Sequence, residues 1–165
     1  MLNPLRTSQV LCGPLRNKIK SVITQSYTKE TQSYTMKSME KVENREAIFK
    51  KILDCSFMVH TALGPGLLEK VYEECLSYEL TRSGLTIARQ KPYPLKYKEI
   101  TLDVGYRLDL MVQDMVIVEI KSVECFSEIH TAQILTYLKL TGCKLGLLLN
   151  FNTRHLKDGI RRFIK

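Results

Sequence analysis

The sequence predicts an α/β fold, a mixed central β-sheet flanked by helices in the order α-α-β-β-β-α-β-α. Three observations predict it. Two amphipathic patterns of helical period occupy residues 43–82. Short β-branched and alternating segments follow from Thr86 to Lys121, separated by turn residues. A helical stretch then leads into the nearly unbroken apolar run Lys144–Asn150, which reads as a strand buried on both faces.

The 165 residues suffice for one domain and a tail, and a hydrophobic content of 44% supplies a core. The net charge of +8 and pI ≈ 9.3 suit a polyanionic partner without requiring one. Five widely spaced cysteines with no C-x-x-C pair argue against a zinc site or a disulfide framework. Reduced thiols and a cytoplasmic location are the default for such usage. No apolar run is long enough to span a bilayer, so no membrane partner is expected.

Residues 1–41 differ from the rest and are expected to form a disordered or loosely helical basic extension, with the domain at 42–165. Ser, Thr, Gln, Lys and Arg dominate there, Pro4, Gly13 and Pro14 interrupt, and Glu30 is the first acid. A plain tail, a true start at Met36 or Met39, a basic arm on phosphates and a transit peptide all fit. The first two are favoured.

The first helix, Glu43–Leu63, carries Ile48, Ile52, Cys55, Val59 and Leu63 at helical spacing and ends at the Leu63-Gly64-Pro65-Gly66 turn. The second, about Leu67–Arg82, carries Leu68, Val71, Tyr72, Cys75, Leu76 and Leu80, with Gly84 as its C′ residue. Thr86–Tyr97 is an edge strand because Pro92 and Pro94 remove ladder donors. The next strand begins near Glu99, and Gly105 marks a bulge before Asp109. Ser127 caps a helix running to about Leu140, with Ile134, Leu135 and Leu138 facing the core and Gly142 stopping it. A last helix is expected over Leu156–Ile164, basic around Ile160 and Phe163.

Charge interrupts two strands that should be buried. Asp109 lies within Tyr106–Val112, and Glu119 and Lys121 lie within Met115–Lys121. A buried carboxylate is costly unless it is paired or holds a metal. Alternation puts Glu119 and Lys121 on one face. A two-residue loop at Gln113-Asp114 would set Asp109 opposite Val118; a three-residue loop, Gln113–Met115, sets it opposite Glu119. We expect the latter, or a bulge, because only that converges two carboxylates and an ammonium. Such a set suits a hard cation such as Mg²⁺ with a phosphate oxygen. By spacing alone an interstrand ion pair fits as well.

Asp109 followed by Glu119-Ile120-Lys121 resembles the D…ExK signature of the PD-(D/E)XK nuclease superfamily. Upstream, Gly66-Leu67-Leu68-Glu69-Lys70-Val71-Tyr72 spells the G-x-x-E-x-x-Y of the GxxExxY protein family within it. Downstream, Gln133-Ile134-Leu135-Thr136-Tyr137 looks like the Q-x-x-x-Y element of RecB-like members. The resemblance covers about Val42 to Lys165 and implies a restriction-endonuclease-like core. It implies metal ligation by Asp109, Glu119 and the Ile120 carbonyl, with Glu69 assisting directly or through water. Lys121 would position the attacking water, and Gln133 and Tyr137 would steady the lysine or touch the nucleic-acid backbone.

Bland accounts stand beside these. With Gly66 as N-cap, Glu69 would occupy the capping-box position. Gln133 and Tyr137 would be a helix surface with one half-buried Tyr. His60 and Tyr72 read as structural. The expected function is Mg²⁺-dependent (or Mn²⁺-dependent) hydrolysis of nucleic acid, DNA favoured over RNA, by a homodimer or within a larger DNA-processing complex. The alternative is a catalytically silent nucleic-acid-binding or protein-interaction module on the same fold.

Overall fold

The computed structural model describes the backbone of residues 13–165 and the side chains of residues 33–165 except 37, 104 and 105. Contacts divide the chain into two units, Met1–Val42 and Glu43–Lys165. Helix α1 spans Gly13–Leu63. Its stretch up to Val42 lies in the first unit, and residues 1–12 lie outside the described residues. Pro14 falls in the first turn, where its missing N–H costs nothing. No Pro or Gly occurs between Pro14 and Gly64, and the intervening Lys, Glu, Gln, Arg and Met residues are good helix formers.

In the second unit α1 buries Ile48, Ile52, Cys55 and Val59 as expected, but Leu63 is exposed. Helix α2 is Glu69–Arg82. Its N-cap is Leu68, which makes no side-chain cap bond, so the Gly66 capping box is not realised and Glu69 is the first helical residue. Tyr72, Leu76 and Leu80 are fully buried, each stabilising the fold by about 1.5–3 kcal/mol. The helix ends in a Schellman motif. The Leu85 N–H donates to the Leu80 carbonyl at 3.2 Å and the Gly84 N–H to Thr81 at 3.0 Å, with Gly84 at φ +83°.

Five strands follow: β1 (Ile87–Tyr97), β2 (Ile100–Val112), β3 (Val116–Lys121), β4 (Leu145–Asn150) and β5 (Ile160–Ile164). They form one sheet in the order β1-β2-β3-β4-β5. Proline-bearing β1 is an edge, as expected. The β1–β2 register shifts between Tyr93 and Leu95, which places the bulge opposite Pro94 around Gly105. Helix α3 (Glu128–Thr141) crosses over between β3 and β4, which pair in parallel. All other neighbours are antiparallel, so the sheet is mixed.

The expected last helix is corrected. Leu156–Gly159 is a single 3-10 turn, and Ile160–Ile164 is a strand paired with β4. Ile160, Phe163 and Ile164 satisfy helical spacing, but β4 is buried along its whole length. A buried strand with an unpaired edge would strand its backbone donors and acceptors, so β5 covers it.

One face of the sheet packs Leu110, Val112, Val118, Ile120, Leu147 and Leu149 against α1 and α2. The other packs Leu108, Met111 and Ile117 against Ile134, Tyr137 and Leu138 of α3. Tyr137 takes the core place expected of Leu135, which is exposed.

Candidate active site

Strands β2 and β3 pair Leu110 with Val118, Met111 with Ile117 and Val112 with Val116. The intervening loop is Gln113–Met115, the three-residue loop that aligns Asp109 with Glu119. Gln113 and Asp114 both have positive φ, 53° and 52°, and the Met115 N–H donates to the Val112 carbonyl at 3.0 Å. The ladder brings the Asp109 carboxylate onto β3, where Oδ2 accepts the Ile120 N–H at 2.8 Å. Alternation in β2 breaks here, since Leu108 packs with α3 while Leu110, two residues on, packs with α1 and α2.

Glu119 is 1% exposed. Its Oε1 accepts from Lys121 Nζ at 2.8 Å, and its Oε2 is buried without a hydrogen-bond partner. Burial, reinforced by the Asp109 charge, pushes the Glu119 carboxyl up to about 7. Burial also raises Asp109, against the opposing pull of the Ile120 N–H and the Lys121 charge. Burial would lower Lys121, but the carboxylates of Glu119, Asp109 and Glu69 outweigh it and hold the ammonium above its ordinary value. The two partners of the Lys121–Glu119 pair shift upward for different reasons, Glu119 chiefly by burial and Lys121 by the carboxylates around it. One ammonium faces three carboxylates.

Glu69 reaches the site from the start of α2. Its Oε1 accepts the Ser122 N–H at 3.2 Å, and Ser122 Oγ donates to the Leu67 carbonyl at 2.6 Å. Asn150, at the end of β4, clamps the same segment: it accepts from the Val123 N–H at 3.1 Å and donates to the Val123 carbonyl at 2.7 Å. The chain leaving Lys121 is thus pinned from two sides. Gln133 and Tyr137 do meet: Gln133 Nε2 donates to Tyr137 Oη at 2.9 Å, and that hydroxyl donates to the Arg107 carbonyl at 3.1 Å. Neither bonds Lys121. Tyr137 is buried rather than facing a cleft, and burial raises its hydroxyl. The tyrosine of G-x-x-E-x-x-Y is structural. Tyr72 Oη donates to the Gly64 carbonyl at 2.7 Å and accepts from the Leu67 N–H at 3.1 Å, and its ring stacks on Phe151 at 4.6 Å. His60 Nε2 is hydrogen-bonded to the Thr153 carbonyl oxygen at 2.8 Å, which gives it a structural partner.

Two residues at the site escaped the sequence reading. Gln90 Nε2 donates to Asp109 Oδ1 at 3.3 Å and to Glu73 Oε2 at 2.9 Å. Glu73 is buried and also takes Arg89 Nη2 at 3.0 Å, while Arg89 bridges on to Glu74. Polar residues at 89–91 of an edge strand carry no distinguishing pattern, and Glu73 is one of three acids in the first six residues of α2.

The residues fit a hard divalent cation in charge and in donor type. Three carboxylates against one ammonium leave a net charge of −2 when all are ionised, and the buried Glu119 Oε2 needs a partner. Among the described residues no three His, Cys, Asp or Glu side chains form a metal-holding group, so Glu69 is not brought into a common ligand set. Asp109 and Glu119 are the side-chain donors, and Ile120 lies between Glu119 and Lys121 on the same strand.

The family model of the PD-(D/E)XK nuclease superfamily matches residues 46–163. The chain belongs to that superfamily, and its mixed sheet with flanking helices is a restriction-endonuclease-like core. A search of the curated proteins and a search of the solved structures gave no match. Membership carries a nuclease-type function, a nucleic-acid substrate and a general dependence on a divalent metal. No described helix is long and apolar enough to cross a membrane.

Proposed function

We propose that the domain at residues 42–165 hydrolyses phosphodiester bonds of nucleic acid, with Asp109, Glu119 and Lys121 as its working set. The observation that carries this is the buried, unpartnered Glu119 Oε2, which shares one sheet face with the Lys121 ammonium and lies beside the Asp109 carboxylate. Asp109, Glu119 and the Ile120 carbonyl would hold a divalent ion, Mg²⁺ or Mn²⁺. Such an ion lowers the pKa of bound water and stabilises negative charge on phosphate.

The chain's own groups do the rest. Lys121 Nζ, fixed by Glu119 Oε1, donates to the attacking water or to a phosphate oxygen as charge develops there. Water adds to phosphorus in line and gives up one proton to solvent, one P–O ester bond breaks, and the departing oxygen takes up a proton from solvent. Asp109 is held by the Ile120 N–H, so its carboxylate is oriented before substrate arrives. Glu69 fixes the Ser122 backbone behind Lys121 and adds negative charge that favours the cation. Gln133 and Tyr137 act from behind the site by fixing the Arg107 carbonyl on β2.

We place the chain with the GxxExxY members on its Gly66, Glu69 and Tyr72. DNA is the favoured substrate over RNA, the cytoplasm the favoured location, and a homodimer or a larger DNA-processing complex the favoured context. The test is a cleavage assay with Mg²⁺ or Mn²⁺ on labelled single-stranded, duplex, branched and RNA substrates, beside Asp109→Ala and Glu119→Ala proteins. Cleavage lost in both variants and in chelator is expected. Salt-sensitive binding without hydrolysis by the wild type would replace this reading with a catalytically silent binding module.

A further inference from the structure

Four described non-glycine residues have positive φ: Gln90, Lys98, Gln113 and Asp114. Lys98, Gln113 and Asp114 lie in turns between strands, whereas Gln90 lies inside β1 at φ 48°. Side chains with a Cβ rarely adopt this conformation, and a strained residue inside a strand calls for a compensating purpose. Its neighbours pair regularly with β2, Arg89 with Leu110 and Lys91 with Leu108. Continuing that register would set Gln90 opposite Asp109. The ladder is interrupted at the one position where β2 carries the site carboxylate.

The side chain shows what the distortion achieves. Both partners of Gln90 Nε2 are carboxylate oxygens, Asp109 Oδ1 at 3.3 Å and Glu73 Oε2 at 2.9 Å. Ionised carboxylates only accept, so the amide nitrogen, with two hydrogens, must be the atom between them. Glu73 is anchored in turn. It is 4% exposed, and its Oε1 receives both Arg89 Nε at 3.2 Å and Arg89 Nη2 at 3.0 Å. A buried, fully paired glutamate on α2 thus fixes the far end of the Gln90 amide, and the near end fixes Asp109.

We infer that Gln90, anchored by Glu73, is a positioning residue that orients the Asp109 carboxylate for cation binding and phosphodiester hydrolysis. This rests on the nuclease reading. Asp109 Oδ2 is held by the Ile120 N–H, so the Gln90 bond to Oδ1 removes the remaining rotation of the carboxylate plane. Outer partners of this kind change cation affinity or turnover by about 10–100-fold when removed.

The test uses the full chain and two readouts. Gln90→Gly suits a positive φ and deletes the amide; Gln90→Asn tolerates the same backbone but is one methylene too short to span both carboxylates. Free Mn²⁺ is titrated by electron paramagnetic resonance, and cleavage is measured over substrate concentration, with circular dichroism confirming the fold. Both variants should bind Mn²⁺ about 10-fold or more weakly. They should lose kcat by about 10–100-fold, with KM for nucleic acid held within about 2-fold. Wild-type Mn²⁺ affinity and kcat in either folded variant overturn the positioning role and leave the nuclease reading standing. A wild-type chain that neither binds Mn²⁺ nor cleaves overturns the nuclease reading, and this role with it.

Discussion

Glu119 faces burial and the Asp109 charge on one side and Lys121 on the other, and the first two win: its carboxyl rises from 4.5 to about 7. In metal-free protein the folded state therefore keeps this proton to higher pH than the unfolded chain does. The contribution to stability is full below the unfolded value of 4.5 and is lost as pH rises through about 7. The loss is on the order of 3 kcal/mol at the usual conversion of pKa into free energy. A Glu119→Gln protein carries no such ionisation. In chelator its urea midpoint should exceed that of the wild type at pH 8 and approach it at pH 5. A difference that does not change between the two pH values would contradict the burial argument. Gln90 shows why part of the site could not be read from residues in order. Asp109, Glu119 and Lys121 stand out because charge interrupts apolar strands, whereas a Gln between Arg89 and Lys91 on an edge strand breaks no pattern. Its significance lies in a backbone angle and in a partner, Glu73, seventeen positions away.

The elements hold the site through small corners that tolerate little change. Tyr72 ties the Gly64–Leu67 turn to α2 through one hydroxyl that both donates and accepts. Tyr72→Phe leaves that carbonyl and that N–H without their partner and should cost about 1–2 kcal/mol in urea unfolding. An unchanged midpoint would show that the turn is held by ring packing alone. Gly159 closes the turn into β5. A Cβ there would lie 2.2 Å from the Asn150 carbonyl oxygen, a backbone atom. Gly159→Ala must displace β4 or the turn, and a destabilisation of about 1–3 kcal/mol is expected from such overpacking. Stability equal to wild type in thermal unfolding would contradict the close approach. β5 was hidden in the sequence because Ile160, Phe163 and Ile164 sit at i, i+3 and i+4. What decides for strand is the need of β4 for a partner on its open edge, which a local pattern does not contain. The β2–β3 register was legible, because only one loop length brings the two carboxylates together.

Across the Glu43–Lys165 unit, residues 43–63 of α1 together with α2 cover one sheet face and α3 the other, leaving the carboxylates at the Lys121 end of β3, where α2 begins. The excess positive charge of the chain, +8, contrasts with the locally negative site. That division suits a protein that attracts a polyanion broadly while reserving a cation-binding spot for chemistry. Binding to nucleic acid should weaken linearly in log–log form as salt is raised, and an affinity independent of salt would contradict a phosphate-directed surface. The central claim is that Lys121, held by Glu119, serves the chemistry and is more than a structural ion pair. Single-turnover cleavage by Lys121→Met protein with saturating Mg²⁺ tests it most directly. Loss of one such charged donor should slow the step by about 100-fold or more with substrate binding retained; a rate equal to the wild type would contradict the account.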